Sequence, residues 1–335
     1  MSRRLRTAVI GVGHLGKFHA RIHKANPRAE LVGLIDSQAG PAGEIARELG
    51  VPLAARLEDL PGPIEAVSIA VPTVLHAAVA VPLLERGIHC LVEKPIAASG
   101  EAAREILAAA RRGRALLSVG HVERFQPGLV RVREMNLAPR FIECHRLAPF
   151  SFRSMDVGVV HDLMIHDLDL VLNLVDSEVV SFDASGGAIL TDHEDVASVR
   201  LVFANGARAN LTASRASLQP MRRFRMFSRE AYVSLDMTKN YGLVIRKGPE
   251  WESGREALRT QEVAALAARK DWLQERVMNI SELDLSGMER PLQAEIDDFL
   301  ACAEEGRAPL VSGEDGLRAL ELADRISAAI RSEVW

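Results

Sequence analysis

Apolar positions fall into two different rhythms along this chain. In the first third, short apolar runs at 7–12, 31–35, 66–71, 90–92 and 116–119 read as strands buried on both faces. Ala-rich stretches between them, at 42–49, 77–86 and 101–112, read as helices, the last with Ser99 placed as its N-cap. Strands alternating with helices predict a doubly wound parallel sheet. After about residue 122 the rhythm changes. Segments 141–152, 180–189, 197–203, 207–213, 222–227 and 232–235 read as strands in succession, with Asn205-Gly206 as a hairpin turn and one helix over 158–175 among them. Successive strands without intervening helices predict a mostly antiparallel sheet. The charged, Ala-rich segment 254–276 predicts a surface helix. Two helices close the chain: one starts at Pro291, buries Ile296, Phe299 and Leu300 and stops at Gly306, and the other starts at Ser312 with Asp315 as a capping-box variant. The fold class is therefore α/β in two domains, a doubly wound parallel sheet over 1–122 and an α+β domain with a large, mostly antiparallel open sheet over 123–335.

A length of 335 residues fits two domains, each with its own core. The 41 basic and 45 acidic residues nearly balance and form no long block of one sign, so nothing calls for nucleic acid or an anionic membrane. The three cysteines, Cys90, Cys144 and Cys302, are far apart and lack C-x-x-C spacing, which fits a reducing cytoplasm. Arg3-Arg4 before an apolar run resembles a twin-arginine leader, but glycines interrupt the run and it lacks a small-residue cleavage site. It reads as the first strand. No apolar run approaches the ~20 residues that span a bilayer, and no metal site is expected.

The stretch from Thr7 to Asp36 carries the first specific chemistry. Ala8-Val9-Ile10 leads into Gly11, Gly13 and Gly16, and the next apolar run ends on Asp36. Gly11 permits a sharp turn, Gly13 lets backbone N–H groups approach a pyrophosphate, and Gly16 lets the following helix pack close to the strand. His14 and Leu15 belong to the same turn. The helix N-terminus then presents unpaired N–H groups and partial positive charge to the phosphates. This is a dinucleotide site on a Rossmann sheet. Asp36 lies about 20 residues beyond the last glycine, the spacing for gripping a ribose 2′-hydroxyl, and it would repel a 2′-phosphate. No arginine follows it, so NAD is favoured over NADP; the plainer role for Asp36 is to begin a turn before Gly40 and Pro41.

In a parallel sheet the ligand sits beyond the C-terminal strand ends, which places Pro72-Thr73, Glu93-Lys94-Pro95 and Gly120-His121 on one rim. Lys94 follows a buried strand, and burial lowers a lysine's pKa toward that of a usable base. The plainer reading is a solvated Glu–Lys pair. His76 stands where a helix begins at the rim. Further on, Asp162 and His166 are four residues apart on a mostly apolar helix, in a polar stripe with Gly158 and Asp169. A carboxylate and imidazole on a buried helix need each other or a wet cavity, although such pairs also merely stabilise helices. Arg222-Arg223-Phe224-Arg225 reads as a charged edge strand, or as a partner for a phosphate-bearing substrate.

These residues together resemble the Gfo/Idh/MocA oxidoreductases: the glycine turn with Asp36, Pro72-Thr73 with His76, Glu93-Lys94-Pro95, and Gly158, Asp162 and His166 spaced as G-x-x-x-D-x-x-x-H. The resemblance implies NAD(P)-dependent oxidation of a sugar or polyol hydroxyl, with Lys94 and His166 as acid/base residues, Asp162 as their partner, and Gly11, Gly13, His14, Leu15, Gly16, Asp36, Pro72, Thr73, His76, Glu93 and Lys94 at the cofactor. It also implies that the second domain binds substrate and builds a homo-oligomer, a dimer or tetramer, on its open sheet face. Thr73 stands where many members carry Asn. Residues 120–125, 145–150 and 162–167 look most like members that oxidise UDP-N-acetylglucosamine at C3. The alternatives are an inositol-like polyol dehydrogenase, a net non-redox glycosidase with held NAD, and an NAD-binding sensor without turnover.

Overall fold

The computed structural model describes residues 4–151 and 157–332. The chain divides into two compact units, Met1–Phe125 with Glu289–Asp324, and Gln126–Met288 with Arg325–Trp335. This differs from a single second domain running from 123 to the end: most of the terminal helical region belongs with the first unit.

In the first unit six parallel strands, β1 (Leu5–Ile10), β2 (Ala29–Ile35), β3 (Leu53–Ala54), β4 (Ala66–Ile69), β5 (His89–Glu93) and β6 (Leu117–Gly120), lie in the order β3-β2-β1-β4-β5-β6. The order reverses beside β1, which opens the crevice where such sheets take ligands. Only β3 escapes the sequence pattern, because two residues carry no periodicity. Helices cover both faces. Ala8, Ile10, Val67, Ile69, Cys90 and Val92 face the helices His76–Glu85 and Gly100–Gly113. On the other face Val9, Leu31 and Leu34 meet Ala20, Ala42 and Ala46, from the helices Gly16–Ala25 and Ala39–Leu49. Ala29, Ala66 and Leu91 on that face pack against Ile296, Phe299 and Leu300 of the helix Pro291–Glu305. That packing is why a helix so late in the chain joins the first unit. Ser312 and Asp315 form the expected capping box: Asp315 N–H donates to Ser312 Oγ at 3.1 Å and Ser312 N–H to Asp315 Oδ2 at 3.0 Å.

The second unit is an eight-stranded sheet of β7 (Phe141–Leu147), β8 (Val179–Gly187), β9 (Val196–Phe203), β10 (Arg208–Ser214), β11 (Met221–Phe227), β12 (Ala231–Asp236), β13 (Tyr241–Arg246) and β14 (Ile280–Glu282), ordered β14-β13-β12-β11-β7-β10-β9-β8. All pairs are antiparallel except β7 with β10. The strand expected over 141–152 ends at Leu147, and position 152 lies outside the described residues. The segment expected as one surface helix breaks into Trp251–Thr260, Val263–Ala267, Lys270–Trp272 and a π-helical turn, Leu273–Val277. It folds back on itself: Trp272 Nε1 donates to Glu250 at 2.6 Å, and Gly254 has no room for a Cβ beside Val277.

β11 lies between β12 and β7, so the arginine run is not an edge strand, and the pleat splits it. Arg223 and Arg225 face the open side, where they pair with Asp236 at 3.9 Å and Glu143 at 3.0 Å. Arg222 points the other way, in line with the buried Phe224 and Met226.

Candidate active site

The glycine turn has the geometry that a dinucleotide needs. Gly11 has φ +84°, and a Cβ there would stand 2.7 Å from the Ala70 carbonyl oxygen of β4's extension. At Gly16 a Cβ would collide with the Gly11 carbonyl, at 1.8 Å. Around Gly13 the space is open, with nothing within 4 Å of where a Cβ would be. Two glycines are thus consumed by packing and the middle one leaves room for a pyrophosphate, so the chain's residues fit the cofactor. Gly11 N–H donates to the Ile35 carbonyl at 2.8 Å, and Asp36 Oδ2 accepts the Val12 N–H at 2.7 Å. Asp36 Oδ1 takes the Gln38 N–H at 2.8 Å. His14, Leu15 and Pro72 are exposed and Thr73 half-buried, all beyond the C-terminal strand ends. Leu15, Phe18, Val74 and Leu75, in the segments after β1 and β4, expose 42%, 39%, 75% and 46% of their surface.

Two residues expected at the cofactor face inward instead. His76 is 1% exposed. Its Nε2 lies 3.0 Å from the Val71 carbonyl and its Nδ1 2.9 Å from that of Pro95, and as a neutral imidazole it donates to one of the two, between the ends of β4 and β5. Burial lowers its pKa, against the pull of those carbonyls. Glu93 lies on the same sheet face as Leu91, toward the helices Gly16–Ala25 and Pro291–Glu305. There His19 Nε2 meets Glu93 Oε1 at 2.9 Å, and one strand over His23 Nε2 meets Ser68 Oγ at 2.8 Å. Burial by itself would raise the Glu93 carboxyl; the hydrogen bond and charge of His19, and then Lys94, outweigh it and hold it below the usual carboxylate range. Glu295 completes a buried cluster whose polar atoms lie within 4.8 Å of one another. These are metal-ligand residue types, and within the cluster His19 Nε2 and Glu93 Oε1 are hydrogen-bonded to each other. Lys94 itself is half-buried, joined to Pro95 by a cis peptide bond.

His19, His23 and Glu295 were not singled out from the sequence. The available signal was two histidines four apart on the face of the first helix that also buries Gly16 and Ala20.

In the second unit the expected helix begins with a π-helical turn, Val160–Met164, and continues as the α-helix Ile165–Leu174. Ile165 N–H reaches back to the Val160 carbonyl, a five-residue step that single-turn bulges at functional sites commonly show. Asp162 sits in the widened turn and His166 just after it, both half-buried. Gly158 stacks one turn before Asp162, whose N–H donates to the Gly158 carbonyl at 3.1 Å, and Asp169 follows His166 within the regular helix. Asp169 is 1% exposed. Gly158 is a packing position, since a Cβ there would stand 2.0 Å from the Glu194 carboxyl carbon. Glu194 is itself 4% exposed and accepts from Ser327 Oγ at 3.2 Å. The acid that anchors the helix is Asp167, which takes Arg146 of β7 in a buried fork, Nε to Oδ2 at 2.9 Å and a terminal nitrogen to Oδ1 at 2.7 Å. Arg146 lies directly opposite Arg222 in the β7–β11 ladder, so Arg222 shares the sheet face on which this helix packs.

Residues 120–125 close the first unit. Arg124 is 2% exposed and donates to the Leu310 carbonyl at 3.1 Å and Asp315 at 3.3 Å. Its visible work is to tie the end of β6 to the terminal helices.

Two family profiles match the chain: the oxidoreductase family with NAD-binding Rossmann fold over residues 5–121, and the GFO/IDH/MocA C-terminal domain over 101–234. Over 329 residues the chain is 36% identical to UDP-N-acetylglucosamine 3-dehydrogenase of Acidithiobacillus ferrooxidans, covering 98% of each chain. The solved structure of that enzyme superposes with a TM-score of 0.85 over 99% of both chains. Inositol 2-dehydrogenase of Rhizobium meliloti is 27% identical, covering 98% of this chain and 96% of that one. Levoglucosan dehydrogenase, solved with NADH and levoglucosan, shares the fold at a TM-score of 0.79 and 20% identity over 99% of each chain. The chain therefore belongs to the GFO/IDH/MocA oxidoreductases, as a dehydrogenase with an NAD-binding Rossmann domain.

Proposed function

We propose that this protein oxidises the C3 hydroxyl of UDP-N-acetylglucosamine with NAD. The observation that carries the reading is the full-length similarity to an enzyme named for that reaction, through both domains and at 36% identity. Asp36 supports NAD over NADP, because a carboxylate held 2.7 Å from the turn's backbone would face a 2′-phosphate at close range. Bound NAD supplies the hydride acceptor. Lys94 and His166 manage the hydroxyl proton, and Asp162 orients His166 and favours its charged form. Arg222, on the same sheet face as the helix of Asp162 and His166, supplies a cation for the diphosphate that a polyol substrate would not need.

The open face of the second sheet supports a homo-oligomer, a dimer or tetramer. There Phe141, Phe227 and Tyr232 stack at 5.6 and 4.7 Å between ring centres, beside the Arg225–Glu143 pair. Three free, buried cysteines fit a reducing cytoplasm. No helix among the described residues is long and apolar enough to cross a membrane.

The test is turnover with NAD and, in turn, UDP-N-acetylglucosamine, UDP-glucose, glucose and myo-inositol. Glutamate and an aminotransferase trap an unstable ketone, and reduced nicotinamide is followed. Turnover confined to the acetylated UDP-sugar is the expected result; turnover with myo-inositol alone would replace the substrate, and product without net reduced nicotinamide would indicate the non-redox reaction.

A further inference from the structure

We infer that His19 is a positioning residue for the reaction, holding Lys94 in place through Glu93. The inference rests on the reading of Lys94 as an acid/base residue. Strand alternation sends the Glu93 side chain under the sheet while Lys94 follows at the strand end. There the two carboxylate oxygens have separate tasks. Oε1 meets His19 Nε2 at 2.9 Å, and Oε2 accepts the backbone N–H of Lys94 at 3.2 Å. An ionised carboxylate only accepts, so His19 carries its proton on Nε2 and donates it. Gly120 on the neighbouring strand leaves the space: a Cβ there would stand 2.9 Å from Oε2. Both side chains are nearly excluded from water, His19 with 1% and Glu93 with 10% exposed. The geometry is therefore set by packing and not by solvent.

His19 belongs to the helix that begins at Gly16, directly after the glycine turn that would hold a pyrophosphate. Two hydrogen bonds through one carboxylate thus connect the first helix to the backbone of the proposed acid/base residue. Without the imidazole, Oε1 is left in a buried site beside Glu295, whose polar atoms lie within 4.8 Å of the pair. The carboxyl group then reorients or protonates, and the Lys94 backbone loses its anchor. Misplacement of a reacting group by about 1 Å can cost ~100-fold in rate.

The experiment compares His19→Leu, His19→Gln, Lys94→Met and the double variant His19→Leu/Lys94→Met, with UDP-N-acetylglucosamine and NAD. Gln keeps a donor that can reach Glu93; Leu has none. The expected result for His19→Leu is a kcat lower by ~10- to 100-fold, with the sugar KM and the calorimetric Kd for NAD within about threefold. Gln restores most of kcat, and the double variant is no slower than Lys94→Met alone. Unchanged kcat in His19→Leu, equal damage from Gln and Leu, or multiplying losses in the double variant would overturn the inference. If His19→Leu does not fold, His19→Ala, which also has no donor to Glu93, takes its place alone and in combination with Lys94→Met in the same cycle. Full activity of Lys94→Met would instead defeat the underlying reading of Lys94.

Discussion

Asp36 Oδ2 accepts the Val12 N–H at 2.7 Å, so the residue that ends the second strand also holds the turn that follows the first. Its other oxygen takes the Gln38 N–H, an Asx-type turn. The turn-forming and ribose-binding roles are compatible, because a carboxylate has about four lone-pair sites and the backbone uses two. Asp36→Ala removes both and is expected to weaken NAD binding by ~10-fold or more, a charge-assisted hydrogen bond being worth ~1.5–3 kcal/mol. Calorimetric titration with NAD and NADP checks this; the affinity gap between the two cofactors should narrow.

Replacing Lys94 or His166 tests the chemistry directly. Lys94→Ala and His166→Asn are each expected to lower kcat by about 100-fold or more, the size of a general acid/base contribution. Cofactor affinity should stay near normal, and single-turnover kinetics separates the two effects.

Gly158 tests the packing beneath the helix of Asp162 and His166. A Cβ there has Glu194 at 2.0 Å, so Gly158→Ala should destabilise the protein by ~1–3 kcal/mol, as overpacking does. Denaturant unfolding measures this. Adding Glu194→Ala should recover part of the loss, giving a coupling of ~0.5–3 kcal/mol.

Arg222 and Arg225 share a strand and should behave differently. Arg222→Gln is expected to raise the KM for UDP-N-acetylglucosamine by ~10-fold or more, since it removes a charged donor from the face of the acid/base helix. Arg225→Gln, on the opposite face and paired with Glu143 at 3.0 Å, should leave that KM within about twofold, because its charge points away from the acid/base helix. Initial-rate kinetics at saturating NAD distinguishes them.

His23 predicts an acid-side loss of stability. Burial, and then the charge of His19, lowers its pKa to about 3 from the ordinary 6.5. Above pH 6.5 the imidazole is neutral in both folded and unfolded chains and contributes no pH dependence. As pH falls from 6.5 toward 3 the unfolded chain binds a proton that the folded one refuses, so stability declines by up to ~1.4 kcal/mol per pH unit from this group. Below pH 3 both are protonated and the loss is complete. His23→Asn should remove about one proton from that slope, measured as unfolding free energy against pH.

Local pattern alone determined much of this protein. Gly11, Gly13 and Gly16 between two apolar runs, with Asp36 closing the second, specify a dinucleotide turn through short-range sterics and strand–helix alternation. Gly306 and the Ser312–Asp315 box mark helix ends for equally local reasons, and five of the six parallel strands could be read from continuous apolar runs. Tertiary structure decided where the faces point. Glu93 reads as a rim residue until the helix Pro291–Glu305 covers its side of the sheet and His19 meets it there. Arg222 and Arg225 are equivalent in sequence until β11 is found between β7 and β12, with the helix of Asp167 on the face that Arg222 shares with Arg146. Asp167 pairs with Arg146 in a buried fork, and the widened turn at Val160–Met164 precedes it in the chain. Such differences depend on what packs against each surface. Periodicity specifies that a side chain has a face, and only its neighbours across the core decide whether that face is wet, buried or paired.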